Sequence, residues 1–362
     1  MKNSKFKYPP KKIRRIFLKS MLITAGVVAV LFVVALAFGT SLFNKIHIGS
    51  DYEVYSPKVN RGTQGSEEDM SDVAITDKNI VVFGVDKEES RTDTILVVHF
   101  DSKNSNTSIV SIPRDTKVTW TESQQDKAVE LERSYQYESK ITEMSSLGGI
   151  ENLRYFTIRS IEEMLDIKVD NYVVINTSMI REIVDKLGGI EVNVPRKMKY
   201  TDNYQDLHID LEPGLQLLDG EAAEGLLRWR HNNDFSEQYA EGDLGRIETQ
   251  QLFIEAFSDK ILNDLSVTNI INIITSVYSN VQTDVSLKQA IDYTAYLEYI
   301  SKGNMVMKTL PGESVREDLW YYIVDEAEVA TFINENFYGE MPTVTDTNMD
   351  TMSATEAGTD VE

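Results

Sequence analysis

Short apolar runs alternate with longer amphipathic segments through the middle of the chain. The short runs are rich in Val and Ile, which is typical of buried strands, and the longer segments repeat apolar residues at helical spacing. This alternation indicates an α/β fold with a central mixed sheet covered by helices on both faces. The predicted strands are 79–85, 94–100, 107–112, 171–176 and 190–195, and the predicted helices among them are 150–166 and 177–189.

The pattern changes in the last third of the chain. Helical spacing dominates from Asp219 to about Ile300, and a last strand pair is expected near Val306 and Tyr322, before a short helix. No linker-like break interrupts the region 79–341, which is therefore expected to form one domain.

A long apolar run precedes this domain. Residues 20–44 form 25 consecutive positions without a charge, and a helix of that length reaches about 37 Å, enough to span a bilayer. Eight Lys and Arg residues and no acid lie before it, so the positive-inside rule predicts a single-pass type II protein of the cell membrane. The alternative is a cleaved signal peptide, but the apolar run is long and lacks a convincing cleavage site.

This topology divides the chain into five segments. Residues 45–78 are polar and irregular, as expected for an extracellular stalk, and 342–362 contain no Lys, Arg or aromatic residue, as expected for a disordered acidic tail. The segments are a cytoplasmic basic N-terminus (1–19), a transmembrane anchor (20–44), the stalk (45–78), an extracellular domain (79–341) and the tail (342–362).

Charge and composition exclude several classes of protein. The net charge is −22. Because residues 1–45 hold nine of the 36 Lys and Arg and none of the 58 acids, the exterior part has a net charge of −31. No nucleic acid is therefore expected as a partner, since such binding needs a positive surface. With no cysteine, the chain can form neither disulfides nor a thiolate site, which fits a Gram-positive surface protein.

Charged residues near strand ends form a first candidate site. Asp86 follows a predicted strand, and Arg91 and Asp93 lead into the next one. In an extended chain Arg91 and Asp93 point the same way. Two carboxylates beside an arginine suit Mg²⁺ bound together with a phosphate. The alternative is an ordinary surface ion pair in a turn.

Further arginines follow in two clusters. Arg114 comes after Pro113 at a strand end, and Arg246 is expected in the first turn of a helix, where free backbone N–H groups attract anions. Arg228 and Arg230 would diverge on a regular helix, so they can share a site only if the helix ends by about Leu227. Solvated arginines in an acidic neighbourhood are the alternative. Converging guanidinium groups would instead form a pyrophosphate site, because Arg binds phosphate oxygens bidentately.

Six motifs occur in the order VVFGVD, RTDTILVV, SIPRD, LGGIEVNVP, LDGEAAEGLLRWR and GDLGRIETQQ. In this order, and over essentially the whole exterior domain, the chain resembles the LytR-CpsA-Psr family. The resemblance implies an enzyme, a phosphotransferase that moves an anionic glycopolymer of the teichoic acid or capsule type. The donor would be a polyprenyl-pyrophosphate carrier and the acceptor peptidoglycan.

The resemblance also implies roles for individual residues. Asp86 and Asp93 match the Mg²⁺ ligands. Asp93, Arg91, Arg114 and Asp243 match catalytic positions, with Asp243 placed to orient Arg246 or Arg230. The residues that match the pyrophosphate clamp are Arg91, Arg114, Arg228, Arg230 and Arg246.

A polyprenyl tail further requires an apolar tunnel. The expected walls are 171–176 with Leu153, Phe156, Ile161 and Leu165, although these residues are also suited to an ordinary core. Thr249 departs from the family pattern, which usually has another arginine there. A non-catalytic protein is the alternative function: it would bind a lipid pyrophosphate or a wall polymer, hydrolyse pyrophosphate weakly at most, and regulate or scaffold. No oligomeric state is specified by these residues.

Overall fold

The computed structural model describes residues 55–58, 76–86, 91–240, 242–292 and 305–339. The predicted segments 1–19, 20–44 and 342–362 lie outside this part of the chain. Within the described ranges, no helix combines the length and the apolar composition needed to cross a membrane.

The strands form one central sheet and four two-stranded ribbons. The central sheet is mixed, with the order β11-β6-β1-β2-β3-β12: β1 is parallel to β6 and antiparallel to β2, and β3 is antiparallel to β2 and parallel to β12. The strands are β1 (Lys78–Val85), β2 (Thr92–Asp101), β3 (Asn106–Ser111), β4 (Lys117–Thr119), β5 (Glu138–Lys140), β6 (Asn171–Asn176), β7 (Ile190–Val194), β8 (Met198–Asp202), β9 (Leu207–Leu211), β10 (Gly214–Leu218), β11 (Gln282–Thr283), β12 (Met305–Thr309), β13 (Gly312–Arg316) and β14 (Trp320–Val324).

Side-chain caps fix where several helices begin. The Asn176 side chain accepts a hydrogen bond from the Met179 backbone N–H at 3.0 Å, and Asp219 accepts one from Ala222 at 2.9 Å. Each satisfies a backbone donor that the first helical turn leaves free. The helices are α1 (Glu122–Glu130), α2 (Ile141–Gly148), α3 (Thr157–Leu165), α4 (Thr177–Lys186), α5 (Gly220–Arg228), α6 (Asp243–Asp264), α7 (Val267–Val277), α8 (Leu287–Asp292) and α9 (Glu326–Ile333), and a π-helical turn, Asn334–Tyr338, follows α9.

Helices cover both faces of the central sheet, as the alternating pattern predicts. Ile80 and Val82 of β1 face a core layer built with α4 to α7, whereas Val81 and Phe83 face a second layer with α1 to α3 and α9. The side-chain period of two in a strand separates the layers. The predicted α/β class with a mixed sheet is therefore confirmed.

Two predicted elements differ in the structure. The helix expected over 150–166 is interrupted, with a 3₁₀ turn at Ile150–Asn152 and α3 beginning only at Thr157. Phe156 between them leaves the helical conformation, with φ −114° and ψ −86°. The last strand pair is also different: β12 joins the edge of the central sheet, and β14 pairs with β13 in a separate hairpin.

Part of the predicted stalk lies against the folded domain. The Tyr55 hydroxyl donates a hydrogen bond to the Asp166 carboxylate at 3.0 Å, and the Lys58 backbone N–H donates to the same oxygen at 2.6 Å. The Arg159 guanidinium lies over the Tyr55 ring, 5.4 Å from its centroid. Residues 55–58 are thus attached to the end of α3.

Candidate functional site

A cavity of about 740 Å³ opens between the central sheet and α6, at the carboxyl ends of β1 and β6. Its mouth is charged and its interior is apolar. Strand ends, helix ends and the β8–β9 turn together supply its lining. Seven charged residues line the mouth: Asp86, Arg91, Asp93, Arg114, Arg228, Arg230 and Arg246.

Asp93 lies at the centre of the arginine cluster. Its Oδ1 accepts a hydrogen bond from Arg114 Nη1 at 2.6 Å and lies 4.0 Å from Arg230 Nη2. Arg246 Nη2 donates to the Asp93 backbone carbonyl at 3.0 Å. Burial by itself would raise the pKa of the Asp93 carboxyl, but the charges of Arg114, Arg246 and Arg230 outweigh it and hold that pKa below its ordinary value.

The end of α5 places Arg228 and Arg230 at one site. The helix ends at Arg228, and Trp229 adopts an extended conformation with φ −62° and ψ 141°. The Trp229 ring is buried, packs edge to face against Tyr239 with a centroid distance of 4.8 Å, and donates through Nε1 to Asn232. This fixed turn between the arginines brings both to the cavity, as their convergence requires.

Arg228 is held from two sides. Its Nη1 donates to Glu224 Oε1 at 2.8 Å, one turn earlier on α5, and its Nη2 donates to the Gln205 side chain in the β8–β9 turn. Glu224 is buried, and its second oxygen pairs with Arg181 of α4. Arg228 is therefore oriented by the protein before any ligand binds.

The first turns of α6 supply both polar and apolar lining. Arg246 is only 4 % exposed, and Gln250, one turn later, donates to Thr94 Oγ1 at 2.9 Å. Gly245 allows the close approach of Tyr239, because a Cβ atom there would lie 2.7 Å from the ring. Asp243 is the first residue of α6, and its side chain lies outside what the structure describes.

Apolar side chains form the deep end of the cavity. They come from one core layer only, between the sheet and α4 to α6, and the nine residues are Val82, Leu96, Ile175, Ile180, Leu207, Leu227, Phe253, Ile254 and Phe257. Ile175 is the apolar member of the predicted wall 171–176 that lines it.

The prediction that four further residues line the tunnel is wrong. Leu153, Phe156, Ile161 and Leu165 are buried in the second core layer, on the opposite face of the sheet from the cavity. They belong to α3 and the turn before it, which cover that face. The ordinary-core alternative is correct for all four.

The sequence model of the LytR_cpsA_psr family matches residues 50–337. The chain belongs to the LytR-CpsA-Psr family. Two relatives bear the name polyisoprenyl-teichoic acid–peptidoglycan teichoic acid transferase TagU. The Bacillus cereus protein is 26 % identical over 318 residues, and the Enterococcus faecalis protein 29 % over 326 residues, each match covering 86 % of this chain and 94 % of the relative.

Solved structures support the same fold for this LytR-CpsA-Psr protein. Bacillus subtilis TagV aligns with a TM-score of 0.57 and 21 % identity, over 74 % of this chain and 98 % of TagV. TagT bound to LI-WTA aligns with a TM-score of 0.53 and 22 % identity, over 78 % of this chain and 99 % of TagT.

The carboxylates at the mouth suit a magnesium ion that also binds a phosphate, and they do not form a site in which protein side chains alone enclose a metal ion. Within the described ranges, no group of three or more His, Asp or Glu side chains is placed to hold a metal ion. Asp86 and Asp93 nevertheless line one cavity. Because Mg²⁺ takes one or two carboxylates and completes its octahedron with water and phosphate oxygens, this donor set fits the ion only beside a phosphate.

Thr249 does not take the place of the arginine usual in LytR-CpsA-Psr proteins. Its Oγ1 lies 2.7 Å from the Tyr239 hydroxyl and 3.3 Å from the Gly245 carbonyl, and the side chain is buried away from the cavity. Here this position stabilises the start of α6.

Sequence reasoning missed three polar residues around the clamp. Glu224 could have been found, because it precedes Arg228 by four residues on a predicted helix. Gln205 and Gln250 could not, since only the folded β8–β9 turn and the packing of α6 on β2 bring them to the site.

Proposed function

We propose that this protein is a Mg²⁺-dependent phosphotransferase that moves an anionic cell-wall glycopolymer from a polyprenyl-pyrophosphate carrier to peptidoglycan. The convergence of five arginines, from three separate parts of the chain, at the mouth of an apolar cavity carries the proposal. The names of the TagU relatives support the substrate class.

The charge of the mouth suits a diphosphate. The domain as a whole is strongly acidic, yet this mouth gathers five guanidinium groups against two carboxylates. Arginine forks match phosphate oxygens bidentately, and partial burial strengthens each contact. A pyrophosphate is the anion that several convergent forks can bind at once.

The apolar interior suits the carrier tail. Phe253, Ile254 and Phe257 continue along α6 from Arg246 at helical spacing, so one helix face runs from the charged mouth to the apolar depth. A lipid pyrophosphate has the same polarity, with a charged head and an apolar tail. The fit favours such a carrier over a water-soluble nucleotide.

Transfer in this site is a substitution at phosphorus. A sugar hydroxyl of the acceptor attacks the phosphorus next to the glycopolymer, a new P–O bond forms, and the bond to the bridging oxygen breaks. Polyprenyl phosphate leaves with that oxygen, and the hydroxyl proton goes to a base. Arg91, Arg114 and Arg246 hold the diphosphate in place and stabilise its developing charge.

Asp86 and Asp93 would hold the magnesium ion, which supplies charge neutralisation at the phosphate oxygens when it is bound. Asp93 is poorly suited to take the hydroxyl proton. Its lowered pKa makes it a weak base. Anchoring the arginines and ligating the metal fit this carboxylate better.

The proposed location is the outer face of the cell membrane. Residues 20–44 would anchor the chain as a single-pass type II protein, with the domain outside. Carrier and acceptor would both be accessible there.

Turnover is the decisive experiment. Full-length protein in detergent is incubated with Mg²⁺, a lipid-pyrophosphate-linked saccharide and peptidoglycan oligomers. We expect saccharide-modified oligomers and released polyprenyl phosphate by mass spectrometry, and neither when EDTA is added. Tight binding of the lipid without either product would favour the non-catalytic alternative.

A pair of variants tests the site itself. Arg228→Ala removes one fork of the clamp, and we expect KM for the lipid substrate to rise about tenfold or more. Arg133→Ala, at an exposed position paired with Glu151, is the matched control and should leave KM unchanged. Equal KM values for the two variants would refute the clamp assignment.

A further inference from the structure

Four aromatic rings extend from the cavity mouth onto the surface. Tyr200, Tyr204 and His231 line the cavity, and Phe235 continues from His231. The His231 ring stacks on Phe235 with a centroid distance of 4.4 Å and meets Tyr200 edge to face at 5.5 Å. We name Tyr200, Tyr204, His231 and Phe235 the aromatic shelf. The aromatic shelf begins beside Arg230, which directly precedes His231 in the chain.

Two of the four shelf residues are largely exposed, and Tyr200 and His231 are half-buried. Phe235 is 62 % exposed and Tyr204 is 96 % exposed. Isolated apolar residues on a surface need no explanation, but contiguous rings that continue a binding cavity mark a ligand surface. Tyr200 also packs partly against the core, so the exposed rings of Tyr204 and Phe235 are the part of the shelf that core packing does not explain.

The loop that carries Phe235 is built rigidly. Asn233 pairs with Thr201 of β8 through two hydrogen bonds, from the Thr201 N–H at 2.7 Å and to its carbonyl at 3.0 Å. Asn232 accepts from the Lys199 N–H at 2.6 Å. The two asparagine side chains thus fasten the loop to a strand edge.

Phe235 itself has a strained backbone. Its φ is +57°, in the left-handed region that aromatic residues rarely adopt because the Cβ atom approaches the backbone carbonyl there. A glycine or an asparagine would meet the same turn with less strain. A residue with an exposed ring in a strained conformation indicates that the ring, and not the turn, is what this position provides.

We propose that the aromatic shelf binds neutral sugar rings of the acceptor glycan strand, an inference that rests on the proposed transferase function. The flat C–H faces of pyranose rings pack against aromatic faces, whose negative quadrupole attracts the slightly positive hydrogens. A strand on the shelf would present a sugar hydroxyl to the cavity mouth, next to Arg230.

The charge around the shelf favours the acceptor over the donor polymer. Four acids lie in its two loops, Asp202, Asp206, Asp234 and Glu237, against Lys199 near Asp234 and the two arginines Arg228 and Arg230 at the cavity mouth. Hydrogen bonds from Ser236 keep the pKa of Asp234 below its ordinary value, so it is ionised at neutral pH. In the two loops, away from the arginines, the acids outnumber the cations, so an anionic polymer would be repelled there, whereas an uncharged glycan backbone would not.

Binding of fully N-acetylated chitotetraose, a neutral β-1,4-linked tetramer of N-acetylglucosamine, tests the shelf without turnover. We measure its Kd for full-length protein by isothermal titration calorimetry. Phe235→Ala should weaken binding about tenfold, the loss of one stacked ring (about 1.4 kcal/mol), and Phe235→Trp should restore it. Tyr137→Ala removes a ring that is 71 % exposed elsewhere, and its Kd should stay within twofold of wild type.

Phe235→Gly separates the ring from the backbone. Glycine relieves the strain that alanine keeps, so its Tm should exceed that of Phe235→Ala by about 2–4 °C. Both variants should nevertheless lose chitotetraose binding equally, because both lack the ring. Wild-type affinity in Phe235→Gly would overturn the proposal.

A second ligand distinguishes the shelf from the pyrophosphate site. Phe235→Ala should weaken geranyl pyrophosphate binding less than twofold. An equal loss of affinity for geranyl pyrophosphate and for chitotetraose would overturn the proposal. The proposal would also be overturned if wild-type protein did not bind chitotetraose at millimolar concentrations of the sugar. Failure of polymer transfer, with ring-dependent glycan binding intact, would refute the transferase proposal and leave the shelf as a glycan site.

Discussion

One carboxylate organises most of the arginine cluster. Asp93 bonds Arg114 through its side chain and Arg246 through its backbone carbonyl, and its charge also attracts Arg230. Guanidinium groups crowded together repel one another, so a central anion is needed before a ligand arrives. When a diphosphate binds, the same arginines can turn part of their donors to the phosphate oxygens.

Replacing this carboxylate should abolish most of the activity. We expect Asp93→Asn to lower kcat about 100-fold, because it removes both a proposed metal ligand and the anchor of Arg114. The measurement is Mg²⁺-dependent polymer transfer. Asp126→Asn, an exposed acid on α1, serves as the control and should keep wild-type turnover. A fully active Asp93→Asn variant would contradict the assignment.

Asp93→Asn should also change how the free energy of unfolding depends on pH in the acid range. The folded-state pKa of Asp93 lies below its ordinary value of 3.8, so its ion pairs stabilise the fold fully above that value and are lost as the pH falls through the lowered pKa. The difference in unfolding free energy between wild type and Asp93→Asn should be constant from about pH 7 to 5 and shrink below about pH 4. Urea titrations at each pH measure it.

Buried charge also joins elements on the cavity side. Glu224 of α5 ties Arg228 of its own helix to Arg181 of α4, so the position of the clamp depends on how two helices pack. Removing one partner of a buried ion pair leaves the others without compensation. The effect should therefore exceed that of a surface pair.

Two neighbouring glutamates on α5 allow a matched test. Glu224→Ala should lower the free energy of unfolding by about 1–3 kcal/mol. Glu221→Gln removes an exposed acid near the same Arg181 and should change it by less than about 0.5 kcal/mol. Comparable losses in chemical denaturation would show that burial of Glu224 has no energetic consequence.

On the other side of the sheet, a buried histidine links β2 to the end of the domain. His99 stacks on Phe337 with a centroid distance of 4.7 Å, and its Nδ1 lies 2.8 Å from Asn79 Oδ1. Burial lowers the pKa of His99 to about 4, and the charges of Asp77 and Asp101 oppose this only in part. The folded protein therefore keeps this imidazole neutral.

A stability difference that depends on pH follows from His99. Its folded pKa of about 4 lies below the ordinary 6.5, so the unfolded chain binds more protons between those values and stability falls as the pH drops through that window. His99→Phe should remove this part of the pH dependence. His208→Phe, at an exposed position, should not. Identical pH profiles for wild type and His99→Phe would refute the assignment.

At the scale of the whole molecule, the sheet was readable from the sequence. Strands buried on both faces are continuous apolar runs, and these runs located β1, β2, β3 and β6. The predicted strand β7 has alternating buried and exposed positions and lies in a separate ribbon with β10. Short ribbons such as β4–β5 and β8–β9 carry no comparable run and were missed, as was β13. Local pattern also gave no information on which strand β12 would join.

The candidate site was predictable for a different reason. Charged residues directly after strands and at helix ends must emerge at an edge of the sheet, so Asp86, Arg114 and Arg228 could be grouped in advance. The face of the central sheet on which the cavity opens could not be predicted, because both core layers contain the same apolar residue types. That is why α3 was mistaken for a wall of the tunnel.

Membrane attachment concerns the chain as a whole. We expect full-length protein to stay in the membrane pellet after an alkaline carbonate wash, because residues 20–44 would span the bilayer. A variant without residues 1–45 should move to the supernatant. A variant without 342–362 is the matched control and should remain in the pellet. A pelleted 1–45 deletion would contradict the anchor prediction.

The single face of α6 that carries Arg246, Gln250, Phe253 and Phe257 ties two kinds of selectivity together. Under the proposed function, a rotation of this helix would move the phosphate contacts and the hydrocarbon contacts in the same step. Adaptation to a longer or shorter isoprenoid would thus disturb recognition of the headgroup as well. Descendants of this protein would have to change both preferences jointly or neither.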